Sequence, residues 1–364
     1  MNKSILTQEI AYAAIQNFFS VKPFVLFATG TSCAVDINFG MWSLEQWLKK
    51  QIPSLPLSDS QMLEWDGVIL ALGKSKDFEA AMNSINDEEL LSAVITKTAE
   101  HVLAVDGANA SEILLGTKEW PAINLFSRLV NALPAENRVL HVATPNYDML
   151  AEYAFTNAGL NYITGFWGGV IRQLDWLQSE RKMTYAEDVL VGKRSQRTTR
   201  LKNHIRLYKV HGSLNTYVFN GNVIETDLWD EPPEEIERLM ITPGASKYER
   251  LHEYRGALLA EYDKAIKSHQ SFLFLGFGFN DKQLVNNTIV DKLRNKKSPA
   301  LIITRDSNDR VEAIVKESAN TWLVCKSEID DSTRICNCQY ADWLVLPGKQ
   351  LWQFDKFVTE ILGE

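Results

Sequence analysis

Five short apolar segments recur along the chain, and helical or helix-containing segments separate them. The five are residues 24–28, 138–143, 205–210, 271–275 and 300–304. Apolar strands that alternate with helical segments are typical of a parallel sheet, because the crossover helices cover both faces and bury every strand. The sequence therefore predicts an α/β protein built around one parallel sheet.

Polar or glycine-rich motifs follow four of these five segments, at the point where each predicted strand ends. They are Ala28-Thr-Gly-Thr-Ser32, Pro145-Asn-Tyr-Asp148, Lys209-Val-His-Gly-Ser213 and Gly276-Phe-Gly-Phe-Asn-Asp281. Ligands of open parallel sheets bind beyond the carboxyl ends of the strands, so the four motifs together predict one shared pocket. The first motif contains a single glycine, Gly30, and does not match the dinucleotide fingerprint Gly-x-Gly-x-x-Gly.

Each motif also has a purely structural interpretation. The first motif alternatively caps a helix, and Asn146 and Asp148 alternatively form an Asx-turn and a helix N-cap. Gly276 and Gly278 alternatively serve close packing, and His211 is alternatively an ordinary turn residue. All of these interpretations would have to hold together at four ends of one sheet edge, so the shared pocket is favoured.

Helical spacing continues from Asp59 to Ala132 without strand-like alternation. This stretch predicts a large helical insertion after the first strand. The expected fold class is therefore a Rossmann-like parallel sheet with helices on both faces and a large helical insertion.

Charge and cysteine content exclude several classes of protein. The net charge of −8 argues against a dedicated nucleic-acid-binding protein, although the basic segment 193–206 leaves a local phosphate or partner contact open. No apolar run approaches the roughly 18 residues of a membrane span. Four cysteines without a Cys-x-x-Cys pair do not indicate a disulfide scaffold, so we expect a cytoplasmic protein with no membrane contact.

Taken together and in order, the four strand-end motifs resemble the sirtuin (silent information regulator) family. They are most similar to the divergent sirtuin-like domains of bacterial anti-phage defence, which hydrolyse NAD rather than deacylate proteins. The resemblance covers residues 20–305 and implies that NAD is the substrate.

The resemblance implies a role for residues in each motif. The first motif would cradle the pyrophosphate, Asn146 and Asp148 would lie by the nicotinamide ribose, and Gly276 and Gly278 would allow close approach of the adenosine half. His211 would be the catalytic base. The cofactor-binding set implied in this way is Ala28, Gly30, Thr31, Ser32, Asp36, Asn146, Asp148, Gly276, Gly278 and Asn280.

Two departures from the family pattern bear on the chemistry. Ala28 and Thr29 replace the first two residues of the family's Gly-Ala-Gly turn, which would leave the backbone slightly further from the phosphate. The structural zinc ribbon is missing, so no metal is expected, with Cys336-Asn-Cys338 as a weak alternative metal site. Because the ribbon forms part of the wall that grips an acyl-lysine peptide, water becomes the expected acceptor.

The predicted function is that of an NAD glycohydrolase, which converts NAD to nicotinamide and ADP-ribose and depletes NAD during infection. Asn146 would fix the ribose or the attacking water, Asp148 would support the developing positive charge, and His211 would take the proton. Two alternatives stay open: a non-catalytic subunit that senses NAD or ADP-ribose, and a zinc-free protein deacylase.

The predicted domain organisation follows from the same resemblance. Residues 1–310 would form a sirtuin-like domain that binds and hydrolyses NAD, with helical insertions at about 52–136 and 156–204. Residues 311–364 would complete this domain or serve oligomer or partner contacts. An enzyme that depletes NAD must be held inactive in healthy cells, so a homo-oligomer or a partner is expected. The resemblance implies a HerA-type ATPase as one candidate partner.

Overall fold

A computed structural model of the chain describes residues 3–75, 81–82, 84–191, 194–229, 231–233, 235–240, 249–281 and 284–363. Lys193, the first residue of the basic segment, lies outside the described residues. Within these ranges, no helix has both the length and the apolar character needed to cross a bilayer.

A large parallel sheet forms the centre of the fold. The strands, in chain order, are β1 (Phe24–Phe27), β2 (Val139–Thr144), β3 (Tyr162–Ile163), β4 (Phe166–Gly168), β5 (Arg172–Leu174), β6 (Thr184–Val191), β7 (Arg194–Leu201), β8 (His204–Lys209), β9 (Gly212–Phe219), β10 (Asn222–Glu225), β11 (Glu237–Met240), β12 (Phe272–Leu275), β13 (Ala300–Ile303), β14 (Thr321–Lys326), β15 (Thr333–Cys336) and β16 (Leu344–Leu346). Nine of the described strands form this sheet in the order β16-β15-β14-β13-β12-β1-β2-β8-β3. Neighbours from β14 to β3 are parallel, and β15 and β16 are antiparallel at one edge.

Helices cover both faces of this sheet. They are α1 (Gln8–Phe18), α2 (Thr29–Cys33), α3 (Met41–Gln51), α4 (Asp59–Ser75), α5 (Glu88–Leu114), α6 (Ile123–Asn131), α7 (Leu150–Asn157), α8 (Trp176–Arg181), α9 (Glu249–Ser268), α10 (Asn287–Arg294), α11 (Asp309–Glu317) and α12 (Phe354–Phe357). Successive side chains of a strand alternate between faces, and in β1 Val25 and Phe27 pack into one hydrophobic core while Phe24 and Leu26 pack into another. All four residues of β1 are buried, as the apolar pattern predicts for a strand covered on both sides. The five predicted strands are all present, and the α/β, Rossmann-like fold class is confirmed.

The predicted helical insertion at 156–204 is wrong in its secondary structure. Apart from the end of α7 and the six-residue α8, the described residues of this range form strands. β3 joins the large sheet, β4 and β5 join a second sheet of order β11-β9-β10-β5-β4, and β6 pairs with β7. Most residues of β7 are exposed, so the β6–β7 pair lacks the apolar alternation that marks a half-buried strand. The basic side chains of the β6–β7 pair make its sequence resemble that of a solvent-exposed connecting loop.

A separate hydrophobic core lies within the range 52–136 and the helix before it. Leu48 of α3, Trp65 and Val68 of α4, and Leu91 and Val94 of α5 are buried together. The helix α5 is 27 residues long, and its C-terminal half leaves this core, since Ile113 packs with the core of the large sheet.

The C-terminal segment 311–364 contributes β14, β15 and β16 to the large sheet. The chain then ends in α12 and a π-helical turn, Val358–Leu362. The Gln16 side chain of α1 donates a 2.7 Å hydrogen bond to the carbonyl of Ile361. This bond connects the π-helical turn to α1. The division of the chain into domains at residue 310 stays a prediction.

Candidate active site

The ends of β2 and β8 bring Asn146 and His211 close together. Thr144 and Lys209 are the last paired residues of these neighbouring strands, and Asn146 and His211 each lie two residues beyond that pair. The N–H of Val210 donates to the carbonyl of Thr144 (3.1 Å), and the N–H of Leu214 donates to that of Tyr147 (3.0 Å). The two chain segments therefore stay hydrogen-bonded past the end of the sheet.

A buried network of side chains links the end of β1 to the end of β2. The Ser32 hydroxyl donates to Oδ2 of Asp148 (2.8 Å) and accepts from Nδ2 of Asn146 (2.9 Å). The other oxygen of Asp148 accepts the N–H of Leu150 (3.3 Å), two residues on, as in an Asx-turn. The N-cap of α7 is Met149, without a side-chain capping hydrogen bond, so Asp148 is not the N-cap. Burial raises the pKa of Asp148, against the opposing effects of the Lys209 ammonium and the Ser32 hydroxyl.

Asn146 retains an unused acceptor in this network. Its backbone N–H donates to the Thr144 hydroxyl (3.1 Å), and its Nδ2 is used by Ser32, but Oδ1 is buried without a partner among the described residues. Because buried amide oxygens are normally hydrogen-bonded, this atom is suited to accept a hydrogen bond from a ligand.

His211 is held by a carboxylate from the loop after β12. Its Nε2 lies 2.5 Å from Oδ2 of Asp281, and Asp281 Oδ1 accepts the N–H of Leu284 (3.1 Å). A carboxylate facing an imidazole N–H accepts from it, so this contact places the proton on Nε2. The other ring nitrogen, Nδ1, is buried without a partner in the described part of the chain and is left as an acceptor.

The ends of β1 and β12 touch through two glycines. The N–H of Gly30 donates to the carbonyl of Gly276 (3.1 Å), and a Cβ on Gly30 would lie only 2.6 Å from Cα of Gly276. Gly276 has φ of +56°, which disfavours a side chain. The close-packing interpretation therefore applies to this residue.

The predicted turn after β1 is a short helix, α2, and two of its N–H groups are already bonded. Besides the Gly30 contact, the N–H of Thr31 donates to the carbonyl of Ala28 (2.9 Å), and so does its hydroxyl (2.9 Å). A pyrophosphate at either N–H would have to share the donor with these carbonyls. The predicted phosphate cradle stays a prediction.

The remaining predicted residues make their hydrogen bonds to neighbouring loops and helices. Asp36 accepts from the N–H of Asn38 (2.9 Å) and from Asn109 of α5 (3.2 Å). Gly278 accepts at its carbonyl from Asn308 (3.0 Å), and Arg310 donates to Oδ1 of Asn280 (3.0 Å). The contacts of Gly278 and Asn280 fix the loop after β12 against the start of α11.

Three buried polar residues near this site, Lys209, Glu152 and Asp106, were not predicted as site residues. Lys209 donates from Nζ to the carbonyl of Asp148 (2.5 Å) and forms an ion pair with Glu152 (2.9 Å). Asp106 of α5 accepts from the N–H of Met149 (2.7 Å) and from the Tyr153 hydroxyl (2.8 Å). Lys209 is the first residue of the motif that contains His211, and Asp281 is the last residue of the fourth motif, so both could have been found in the sequence. Asp106 carries no local signal, since it is one acidic residue within a long helix.

The Asp106 carboxyl should make the stability of the protein depend on pH. Burial raises the pKa of Asp106 to about 6, against the opposing hydrogen bonds from Met149 and Tyr153. The folded state therefore binds the proton of Asp106 more tightly than the unfolded state, so protonation stabilises the fold. This stabilisation is complete below about pH 4 and is lost as the pH rises through 6. Relative to Asp106→Asn, the wild-type free energy of unfolding should fall by about 2–3 kcal/mol between pH 4 and 7, measured by urea denaturation. Parallel pH profiles for the two proteins would contradict this assignment.

Over the described residues, the structure contains no group of three or more His, Cys, Asp or Glu side chains arranged to hold a metal ion. All four cysteines are free. The thiol of Cys33, next to the Ser32 network, has its pKa raised to about 11 by burial and by the nearby Asp148 carboxylate. This cysteine is therefore protonated at neutral pH and is not a nucleophile of the site.

Comparison with known proteins gives one family. A model of the SIR2-like domain matches residues 140–323, which is half of the chain. The matched range includes Asn146, Asp148, His211, Gly276 and Asp281, whereas the motif after β1 and the helical insertion precede it. A search of curated proteins finds no match.

Proposed function

The chain belongs to the SIR2-like domain family, whose members use NAD, and we propose that it hydrolyses NAD to nicotinamide and ADP-ribose at the site formed by Asn146, Asp148 and His211. The main support is one observation. At two neighbouring strand ends, Oδ1 of Asn146 and Nδ1 of His211 are buried acceptors without a partner among the described residues. A buried acceptor of this kind is suited to a hydrogen bond from a substrate hydroxyl or a water molecule.

The proposed reaction needs a base and a positioning group but no general acid. The bond between C1′ of the ribose and the pyridinium nitrogen breaks, and its electron pair leaves with neutral nicotinamide. The oxygen of water bonds to C1′, and its proton passes to Nδ1 of His211. Asn146 accepts a hydrogen bond from the water or the ribose and so fixes the direction of attack. Asp148 holds Ser32, which in turn holds Asn146, and its buried carboxyl group stabilises positive charge on the ribose as the bond breaks.

Asp281 is proposed to position the base. Its carboxylate orients the imidazole and keeps the proton on Nε2, so that Nδ1 is free to accept. In Asp281→Asn, an amide that donates to Nε2 would favour the other tautomer, and we expect kcat to fall by about tenfold or more with little change in KM. Steady-state kinetics over a range of pH values measures this, with Asp66→Asn on the exposed side of α4 as the matched control. An unchanged kcat and pH profile in Asp281→Asn would exclude the positioning role.

The direct test of the function is incubation of the purified chain with NAD and chromatographic detection of nicotinamide and ADP-ribose. An acylated lysine peptide in a parallel reaction distinguishes a deacylase, which would release O-acyl-ADP-ribose. Saturable NAD binding without any product would favour a sensor. Because an NAD-depleting enzyme has to be held inactive in healthy cells, the assay is run over a range of protein concentrations and with a HerA-type ATPase added.

Depletion of NAD during phage infection is the proposed cellular result of this activity. It is tested by measuring NAD in infected cells that carry the wild-type chain or the His211→Ala variant. NAD should fall only with the wild type, and equal NAD levels in both strains would argue against this role.

A further inference from the structure

Three charged side chains are buried together where β2 and β8 end and α7 begins. Asp148, Glu152 and Lys209 are 6%, 4% and 6% exposed. Nζ of Lys209 lies 2.9 Å from Oε1 of Glu152, in the first turn of α7, and 2.5 Å from the main-chain carbonyl of Asp148. A charge buried to this degree needs a partner of opposite sign, so the ionised forms of these three groups depend on one another.

The carboxylate of Asp148 is not neutralised through its own hydrogen bonds. Its two oxygens accept from uncharged donors, the Ser32 hydroxyl at 2.8 Å and the N–H of Leu150 at 3.3 Å. Burial raises the pKa of Asp148, the Lys209 ammonium lowers this pKa, and the Glu152 carboxylate raises it again. Lys209 therefore acts on the Asp148 carboxylate through space while its ammonium contacts a competing carboxylate.

Two further titratable groups act on Asp148, from α5 and α2. The pKa of the Asp106 carboxyl and the pKa of the Cys33 thiol are both raised by burial, with a smaller contribution from the Asp148 carboxylate. Neither group carries a positive charge in either of its protonation states. Among the four titratable groups that act on Asp148, Lys209 is thus the one that favours its ionised form.

We propose that Lys209 is a positioning residue for NAD hydrolysis, which keeps Asp148 ionised and holds the main chain of the 146–148 segment. Glu152 fixes the ammonium of Lys209 in place and opposes its effect on Asp148. This inference rests on the proposed function, in which the Asp148 carboxylate stabilises positive charge on the ribose. Lys209 acts on the reaction through Asp148.

The two partners of the Lys209–Glu152 ion pair should therefore have opposite effects on Asp148. Lys209→Met removes the cation, so Asp148 should keep its proton to a higher pH. Glu152→Gln removes the competing carboxylate and retains a side-chain oxygen for the ammonium, so Asp148 should lose its proton at a lower pH. An ion pair that only stabilised the fold would be broken by either change, with the same consequence for both.

The pKa of Asp148 is measured through protein stability and needs no NAD. For each protein, urea denaturation over a range of pH values gives the difference in unfolding free energy from its Asp148→Asn counterpart. Because burial raises the folded-state pKa of Asp148, this difference falls as the pH rises and levels off above that pKa. Lys209→Met should raise the pH at which it levels off by about one unit or more, and Glu152→Gln should lower it.

A double variant and a control pair complete this measurement. Lys209→Met alone leaves Glu152 buried without a cation, which can unfold the chain. Comparison of Lys209→Met/Glu152→Gln with Glu152→Gln isolates the charge of Lys209, and the pKa of Asp148 should be higher in the double variant by about one unit or more. Lys97→Met and Glu100→Gln change a pair of the same type in α5, with Nζ and Oε1 2.7 Å apart, and should leave this pKa unchanged.

The rate of NAD hydrolysis is then measured at saturating NAD over the same pH range. Below the pKa of Asp148, an upward shift of one unit lowers the ionised fraction by about tenfold. We therefore expect kcat of the double variant to lie about tenfold below that of Glu152→Gln at low pH. The two kcat values should converge as the pH rises above both pKa values, whereas damage to the fold would keep them apart.

Equal pKa values of Asp148 in the double variant and in Glu152→Gln would overturn the proposal, as would pKa shifts in the same direction from Lys209→Met and Glu152→Gln. A ratio of kcat values that stays constant with pH would overturn it too, because the reaction would then not depend on the charge of Asp148. The pKa shifts are measured without NAD. The expected shifts combined with a wild-type chain that does not hydrolyse NAD would therefore contradict the proposed function and not the effect of Lys209 on Asp148.

Discussion

Replacing His211 by alanine should lower the rate of NAD hydrolysis by about 10²–10⁴-fold, the usual contribution of a general base. The imidazole is the proposed base, and Asp281 lies 2.5 Å from its Nε2, while Nδ1 has no partner among the described residues. NAD affinity should change little, because the base acts mainly on the transition state. Product formation under saturating NAD and equilibrium binding of NAD measure the two quantities separately.

Two further variants sharpen this prediction. Asn146→Ala should cause a loss of similar size, because the ribose or water is no longer fixed. His101→Ala, a histidine of α5 that contacts the carbonyl of Asn38, should leave the rate unchanged. If His211→Ala folds and hydrolyses NAD at the wild-type rate, His211 is not the base and the proposed mechanism is wrong.

Gly30→Ala should destabilise the fold by about 3 kcal/mol, because the new methyl group meets backbone that cannot move aside. Its Cβ would lie 2.6 Å from Cα and 2.8 Å from the carbonyl oxygen of Gly276. Gly276→Ala should lower the free energy of unfolding further. Its Cβ would lie 2.6 Å from Cα of Gly30, and the new side chain would also stand at φ of +56°. Urea denaturation gives the free energies of unfolding.

The controls for this prediction are glycines in other surroundings. Gly107→Ala lies in α5 with no atom within 4 Å of the added Cβ, and it should stabilise the protein by about 0.5–1 kcal/mol. In Gly278→Ala the nearest atom is the side-chain nitrogen of Asn308 at 3.2 Å, which can shift, so the effect should be small. Wild-type stability in Gly30→Ala would show that β1 and β12 can separate at this end without cost.

The sheet could be predicted from the sequence because its strands are apolar along their whole length. A strand such as 24–27 has no polar face, and this composition combined with helical segments on either side permits few folds. The turn at Asn220-Gly221 was also predictable: both residues have positive φ, as the hairpin between β9 and β10 requires. In contrast, β6 and β7 are exposed and charged, and their pairing depends on backbone hydrogen bonds that leave no pattern in the side chains.

The candidate site was predicted only in part, because contacts between distant segments leave no pattern in the sequence. Strand-end motifs indicate which residues approach one another, and Asn146 and His211 each lie two residues beyond the last paired residues of β2 and β8. The individual contacts within the motifs were not predicted: Ser32 of the first motif accepts from Asn146, Asp281 of the fourth contacts His211, and Lys209 of the third donates to the carbonyl of Asp148. Contacts of this kind depend on packing between distant segments, and a single sequence contains no periodic signal for them.

The long helix α5 belongs to two hydrophobic cores at once. Its N-terminal half packs with α3 and α4, and about 18 Å beyond Val94 along the axis Asp106 accepts the N–H of Met149, the residue after Asp148. Unfolding of the helical insertion would therefore remove a support from the very segment that carries Asn146 and Asp148. A binding event on the outer surface of α3 or α4 would in this way act on the segment after β2, through the folding equilibrium of a single helix.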